Sequence, residues 1–349
     1  MSLLLTLLFT IVSYNCENLF DCRHDSLKND MEFVTNENQN QNENSSRSSN
    51  SSNSSRSSNS SNSSRSSNSS RSSNSSNSSR NWTFGRYWKK LNDIGRVIQQ
   101  CGGETLPDVV ALLEVENDST LFMLTKRSML NGAGYRYVMT NSLDTRGIDV
   151  AIVYNPLTFR LENSYSIRPD IENNKTRDIL YAKGIARARD ILHIFVVHAP
   201  SRRNGKSATE GYRMQVEQRL MQSVDSIRNI DSDAKIVLMG DFNDYSNDKA
   251  LKDIVSRGFV EISKDIKGLN YTKTKVSGTY KYQGTWNSLD HIFLSDVVQQ
   301  QVERCFIYDA AWLLEEDNQG GYKPFRTYLG PKYHEGISDH LPIVLQLKL

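Results

Sequence analysis

An α/β fold is predicted for this chain of 349 residues from three observations. Short apolar runs of strand length recur along it, bounded by turn residues. Segments with helical spacing lie between them. The apolar runs also stop, again and again, in carboxylates, amides and imidazoles. The mixture indicates strands buried against helices.

The first strand is read at Ile11 to Tyr14, continuing without a break from the apolar stretch Leu3 to Phe9. That stretch has the length of a signal h-region, yet no Lys or Arg precedes it and no small-residue cleavage site follows. It is short for a bilayer span. Localisation is therefore open between a secreted or periplasmic protein with a signal-like leader and a cytoplasmic one. Residues 45–80 contain only Ser, Asn and Arg: 24, 7 and 5 of them. With no apolar residue to bury, the tract cannot offset its ordering entropy. It follows the polar stretch Thr35 to Asn44, so residues 36–80 are expected to be a disordered insertion in a single domain over 1–349. Loop closure tolerates such length.

Order is expected to resume at Trp82. Tyr87, Leu91, Ile94 and Ile98 have helical spacing, and Gly102-Gly103 closes that helix. A second amphipathic helix is marked by Tyr212, Val216, Leu220, Val224 and Ile227. The remaining strands are Val109–Leu113, Val150–Tyr154, Ile191–Val197, Ile236–Met239, Ile292–Leu294 and Ile343–Leu349.

Composition excludes a collagen, a coiled coil and a polytopic membrane protein. Four cysteines without a CxxC exclude a disulfide scaffold and a zinc ribbon. The net charge is +2, less than the five Arg of the Ser-rich tract alone. The rest of the chain is slightly acidic, so bulk charge shows no basic nucleic-acid surface.

The strand ends carry the chemistry. The first strand ends in Asn15-Cys16-Glu17, and the run from Val109 ends in Glu114. The run from Ile191 ends in His198, and Gly240 is followed by Asp241-Phe242-Asn243-Asp244. Asp290-His291 opens one strand, and Ser338-Asp339-His340 precedes the last. Each alone has a structural explanation; together they point to one rim where they converge.

These blocks, GDFN and SDHLP above all, resemble the endonuclease/exonuclease/phosphatase superfamily, including its bacterial-type members. That superfamily includes pancreatic-type deoxyribonucleases, abasic-site endonucleases, inositol-polyphosphate phosphatases and sphingomyelinases. The resemblance covers residues 11–35 and 82–349. It implies a four-layered α/β/β/α sandwich of two packed mixed sheets flanked by helices. By position, Glu114 resembles the main ligand of Mg²⁺ (or Mn²⁺), with Asn15, Glu17 and Asp339 beside it. Such hard cations prefer carboxylate and amide oxygens. Asp241 and Asn243 resemble the pair that positions the attacking water and the phosphate oxygens. His340 resembles the closing histidine and Asp290 its orienting carboxylate, while His198 takes the place of a phosphate-contacting residue. Whether His340 or Asp241 accepts the proton is open at this stage.

Arg177, Arg202 and Arg203 are candidate substrate-binding cations, and Arg213 a candidate brace for the Ser201–Lys206 loop. His291 is read as structural, and Cys16 as core-facing by strand alternation. Trp82, Arg86, Tyr87, Trp88, Lys89 and Lys90 combine aromatics and cations as single-strand binders do, although Tyr87 already serves the core. The Gly- and aromatic-rich segment Gly320 to Gly330 is the candidate specificity element. The expected function is metal-dependent phosphodiester hydrolysis, with nucleic acid the favoured substrate. Inositol phosphates or sphingolipid head groups are the alternative, and a catalytically silent binding module is the third. No stable protein partner is implied, and a monomer is expected.

Overall fold

The computed structural model describes residues 8–33, 82–171, 176–203 and 205–349. The Ser/Asn/Arg-rich insertion expected over 36–80, and the N-terminal apolar stretch up to Leu7, lie outside these residues.

Strands β1 (Phe9–Leu19), β2 (Val109–Val115), β3 (Arg136–Met139) and β4 (Asp149–Tyr154) come first. They are followed by β5 (Phe159–Ile167), β6 (Ile179–Ala186), β7 (Asp190–His198), β8 (Lys235–Asp241) and β9 (Phe259–Glu261). A hairpin of β10 (Tyr280–Tyr282) and β11 (Thr285–Asn287) precedes β12 (Asp290–Ser295) and β13 (Val302–Ile307). Two small hairpins then lead to the last strand. They are β14 (Leu314–Glu316) with β15 (Tyr322–Pro324), and β16 (Tyr328–Leu329) with β17 (Lys332–Tyr333). The last strand is β18 (Ile343–Leu347). One six-stranded sheet has the order β13-β18-β1-β2-β4-β3, the other β5-β6-β7-β8-β12-β9. Only β1/β2 and β7/β8 pair in parallel within them; the other pairs are antiparallel.

Strand alternation builds four layers from these two sheets. Ile11, Val109, Ala111 and Ile152 point between the sheets, where they meet Ile194, Val196, Val237 and Met239. Their neighbours Val12, Val110 and Val153 point the other way, onto helix α1 (Phe84–Cys101) through Leu91, Ile94 and Ile98. On the far side, Phe195, Val197 and Leu238 pack on α3 (Lys206–Arg228) and α4 (Lys249–Ser256); α2 (Asp118–Lys126) joins the α1 layer. This is the expected α/β/β/α arrangement. Cys16 lies in the α1-side core, as alternation requires.

Helix α1 starts where the Thr83 side chain accepts from Arg86 N, and ends at Gly102, with Gly103 left-handed at φ 72°. Two expectations change here. Tyr212 is 36% exposed on α3; the buried face of that turn is Arg213. The aromatic and cationic cluster on α1 is no open platform, because Trp82, Tyr87 and Lys90 are all buried. Lys90 follows Tyr87 by three and precedes Ile94 by four, which places it on the same helical face. No helix among the described residues is long and apolar enough to cross a membrane.

Candidate active site

Strand direction explains why the polar strand ends converge. Parallel β1 and β2 both finish at one rim, and so do parallel β7 and β8. Antiparallel β12 and β18 start there. In register, His198 lies beside Asp241, and Asp241 beside Asp290. Gly240 makes the first pairing possible. Its φ is 134°, and a Cβ there would stand 2.0 Å from the Val197 carbonyl oxygen. The rim opens on a cleft of about 990 Å³ lined by Glu17, Glu114, His198, Asp241, Asn243, Asp339 and His340, among others.

Asp241 Oδ2 is the centre of the cleft floor. Asn15 Nδ2 donates to it at 3.1 Å. His198 Nε2 lies 3.8 Å away and His340 Nε2 4.0 Å away. The other carboxylate oxygen accepts from Asn243 N at 2.9 Å, and Asn243 Nδ2 donates to the Ala199 carbonyl at 3.0 Å. Burial and the neighbouring Asp290 push the Asp241 carboxyl up to about 7. His340 Nδ1 meets Asp290 Oδ2 at 2.7 Å, and Thr279 Oγ1 donates to the same oxygen at 2.5 Å. Burial lowers the His340 pKa, but Asp290 overcomes it and holds the imidazolium well above its ordinary value. His198 goes the other way: burial, then Arg177 and Arg146, hold its imidazole neutral. The rim thus contains one charged and one neutral imidazole facing one carboxylate.

A second group of carboxylates lies at the ends of β1 and β2. Glu114 Oε2 accepts from Asn18 N at 2.9 Å, and its Oε1 stands 3.8 Å from His198 Nε2 and 3.7 Å from Arg146 Nη2. Glu17 accepts from Thr327 N at 2.7 Å and Tyr328 N at 3.4 Å. Asn15 Oδ1 accepts from Glu17 N at 3.0 Å. Asp339 receives Arg326 Nη2 at 2.8 Å, and Arg326 Nε is 3.9 Å from Glu17 Oε1. Behind this group, the buried Lys90 ammonium donates to the Glu17 carbonyl and, at 2.7 Å, to Thr327 Oγ1. Burial and then Asp339 push the Glu17 carboxyl up to about 7. Glu17, Glu114 and Asp339 all line the cleft, and the repulsion of Glu17 by Asp339 is what a divalent cation would relieve. Among the described residues, the one set of Asp, Glu, His or Cys ligand atoms mutually within 4.8 Å is Asp241, Asp290 and His340. Its Asp290–His340 hydrogen bond already occupies one donor pair, which suits proton handling better than a cation.

Backbone strain marks the same rim. Glu17, Asn18, Glu114 and Asn243 have φ of 49°, 56°, 61° and 52°. Non-glycine residues adopt this left-handed region at a cost of roughly 1–2 kcal/mol each. The turn it makes re-aims β1 and β2 so that consecutive polar residues reach one cleft.

The candidate cations fare unevenly. Arg177 lines the cleft, but its terminal nitrogens are committed to Asp144 Oδ2 at 3.1 Å and the Ala199 carbonyl at 2.7 Å. Arg202 pairs with Asp248 at 3.2 Å and lies 4.3 Å over the Tyr245 ring. Arg203 is exposed on the cleft wall. Arg213 is fully buried, paired with Asp244 Oδ1 at 2.7 Å, and donates to the Pro200 carbonyl at 3.5 Å and the Lys206 carbonyl at 3.1 Å, on either side of the Ser201–Lys206 loop it braces. His291 is buried between Glu261 and the Asp244 carbonyl, away from the cleft. Sequence reasoning missed Arg146, Arg326 and the burial of Lys90. Arg146 lies in the turn just before β4, separated from it by Gly147 and Ile148, and the start of β4 is at the rim because β4 runs antiparallel to β2.

Solved structures share this fold. An endonuclease/exonuclease/phosphatase family protein from Bacteroides thetaiotaomicron matches at 14% identity over 97% of each chain, with a TM-score of 0.56. A mannosyl-6-phosphatase from the same organism matches at 14% identity, over 97% of this chain and 99% of that one, also at 0.56. Truncated TDP2 from Caenorhabditis elegans matches at 16% identity over 74% of this chain and 90% of its own, at 0.50. At such identities the likeness shows the fold. Among curated proteins none matches. The sequence profile of one family does match, over residues 64–349. With the rim geometry, that match makes the chain a member of the Endonuclease/Exonuclease/phosphatase family, a family of divalent-metal-dependent phosphoesterases.

Proposed function

We propose that this protein hydrolyses phosphoesters of small phosphorylated molecules, with Mg²⁺ (or Mn²⁺) held by Glu17, Glu114 and Asp339 and with Asn15 fixing their turn. The observation that carries the chemistry is the convergence of Asn15 Nδ2, His198 Nε2 and His340 Nε2 within 4.0 Å of Asp241 Oδ2. When bound, the cation supplies charge neutralisation for the phosphate oxygens. Asp241, with a pKa about 7, takes a proton from a water lying between it and the phosphorus. The His340 imidazolium, fixed by Asp290, presents Nε2 to the charge that develops on phosphorus oxygens; as the new bond to water forms, the ester P–O bond breaks and the leaving oxygen takes a proton from solvent. His198, kept neutral, and Asn243 complete the donors around the phosphate.

The substrate reading rests on how the cations are used. Arg177 and Arg202 are paired with Asp144 and Asp248, and Lys89 bonds Asp93 and the Glu335 carbonyl. Cations suited to gripping a long phosphate backbone are thus already paired with partners within this chain. The name of the Bacteroides mannosyl-6-phosphatase, which covers nearly the whole chain, supports the same reading. Nucleic acid is the second reading, favoured by Arg146, Arg203, Tyr245 and Tyr280 on the cleft wall.

The test is Mg²⁺-dependent phosphate release from sugar phosphates and inositol phosphates, run beside nicking of plasmid DNA and cleavage of single-stranded RNA. Release from the small panel that disappears in Asp241→Asn supports the proposal. Nucleic-acid cleavage faster than phosphate release transfers it to the second reading. Absence of any Mg²⁺-dependent turnover would sink both.

A further inference from the structure

A smaller cavity of about 230 Å³ stands beside the cleft and shares Tyr282, Arg326 and Asp339 with it. Two hairpin tips wall it. One is the turn between β10 and β11, with Tyr282 and Gln283; the other is the turn between β14 and β15, with Asp317 and Gln319. The walls are a built structure rather than a chance gap between loops. Lys281, with only 4% of its side chain exposed, reaches across to the Gly320 carbonyl at 2.8 Å, the Tyr322 carbonyl at 3.0 Å and Asp317 Oδ2 at 2.9 Å. That lock fixes the two tips relative to each other. Gly284, at φ +78°, lets them close up: a Cβ there would meet Gln319 Oε1 at 2.7 Å.

We propose that this cavity is the leaving-group subsite of the phosphoesterase site and takes a polyhydroxylated group of single-ring size, a sugar. The proposal rests on the phosphoesterase reading above and names its substrate class. Three features carry it. The lining is close to charge-balanced: Lys281 is committed to Asp317, and Lys323 lies 3.7 Å from Glu315. Arg326 is likewise bonded to Asp339, so each lining cation already has a carboxylate partner and none is left over to hold a second anionic group. Gln283 and Gln319 each offer a donor and an acceptor, the combination a ring of hydroxyls matches. An apolar group would desolvate those amides without replacing their hydrogen bonds. Tyr282, 58% exposed, with Pro324 and Leu329, supplies apolar surface for the C–H face of a ring. The volume lies below the usual range for larger ligands, about 300–1,000 Å³. One ring fills it, with its phosphate in the cleft. Arg326 lines both the cavity and the cleft, bonded to Asp339.

The test is calorimetric binding in Mg²⁺ on the full chain carrying His340→Ala, so that ligand is not consumed. The probes are glucose 6-phosphate, ribose 5-phosphate and ethyl phosphate, which has the same charged group and no ring hydroxyls. The sugar phosphates are expected to bind about tenfold tighter than ethyl phosphate, the effect of two or so neutral hydrogen bonds. Adding Gln283→Ala and Gln319→Ala together should shrink that gap to about twofold. Tyr282→Ala, which leaves the Lys281 lock in place, should narrow it as well. Equal affinities for all three probes, or a gap unchanged in the variants, overturns the assignment. Hydrolysis of 4-nitrophenyl phosphate by the wild type separates the two readings. If it is absent while the gap persists, the phosphoesterase reading fails and with it the leaving-group role. If it is present without a gap, the subsite alone fails.

Discussion

The two halves of the cleft floor manage buried carboxylates in opposite ways. Around Asp241 and Asp290, compensation comes from one imidazolium, His340, in direct contact with Asp290 at 2.7 Å. Around Glu17, Glu114 and Asp339 it comes from fixed cations behind or beside them: Lys90, Arg146 and Arg326. Asp241, raised to about 7 beside His340, gains and loses its proton near neutrality; an arginine does so far above it. The first half is therefore equipped to move a proton, and the second to hold a charge still. Since hydrolysis needs both an activated water and a neutralised phosphate, the division predicts that the two halves fail differently when altered.

The largest expected effect is in the proton half. Asp241→Asn and His340→Ala should each lower kcat by about 10²–10⁴-fold. Calorimetric Mg²⁺ affinity should stay near wild type in both, and a parallel loss of Mg²⁺ binding would break the division. In the other half, chelation should abolish turnover and excess Mg²⁺ restore it. Glu114→Gln should raise the Mg²⁺ needed for half-maximal rate by more than about tenfold, removing a charged oxygen ligand. If Glu114→Gln changes kcat alone, the cation lies elsewhere.

Lys90→Met addresses the brace behind Glu17. It removes charge-assisted hydrogen bonds to the Glu17 carbonyl and to Thr327, so urea denaturation should show a loss of about 3 kcal/mol. An unchanged midpoint would mean that the segment at Thr327 is held by other contacts.

A smaller effect is expected in the pH profile. Burial and Asp290 raise Asp241 to about 7, so kcat/KM should rise as pH increases through that value and the carboxyl loses its proton. In Asp290→Asn the inflection should move to lower pH, because a repelling anion is gone. The stability sign follows from the same shift. Folded Asp241 keeps its proton up to about 7, while the unfolded side chain releases it near about 4. Its contribution to stability therefore falls as pH rises between these values. The smallest effect is expected from deleting residues 45–80: turnover within about twofold of wild type, since loop length costs little.

Much of this rim was legible in the sequence, because the residues that end strands carry the chemistry and strand ends are visible where apolar runs stop. Asn15, Glu17, Glu114, His198, Asp241, Asp290, Asp339 and His340 are brought to one rim on that logic. Arg146 is not visible by that logic because it leads into β4, which starts at the rim instead of ending there, and strand direction is a property of the pairing. Lys90 was misread through its charge, although its helical phase with Tyr87 and Ile94 places it inward. Arg177 and Arg202 show the converse limit. Sequence indicates that a cation is near, but not whether Asp144 or Asp248 has already claimed it. Arg326 came from a segment marked only by its glycines and aromatics, which fold as two small hairpins that no periodicity announces.

Strand β1 sits between β2 and β18, with Phe9 opposite Leu347. During synthesis this strand emerges well before β18, and until β18 has left the ribosome one of its edges has no partner. At about 5–20 residues per second, that interval is roughly 20–70 s. Through it, a buried apolar strand is left half-paired, an open template for another chain's edge. The same delay separates Glu17 from His340, so a nascent chain has no complete site to act with. Completion of both the sheet and the site thus waits on one event, the docking of β18 beside β1.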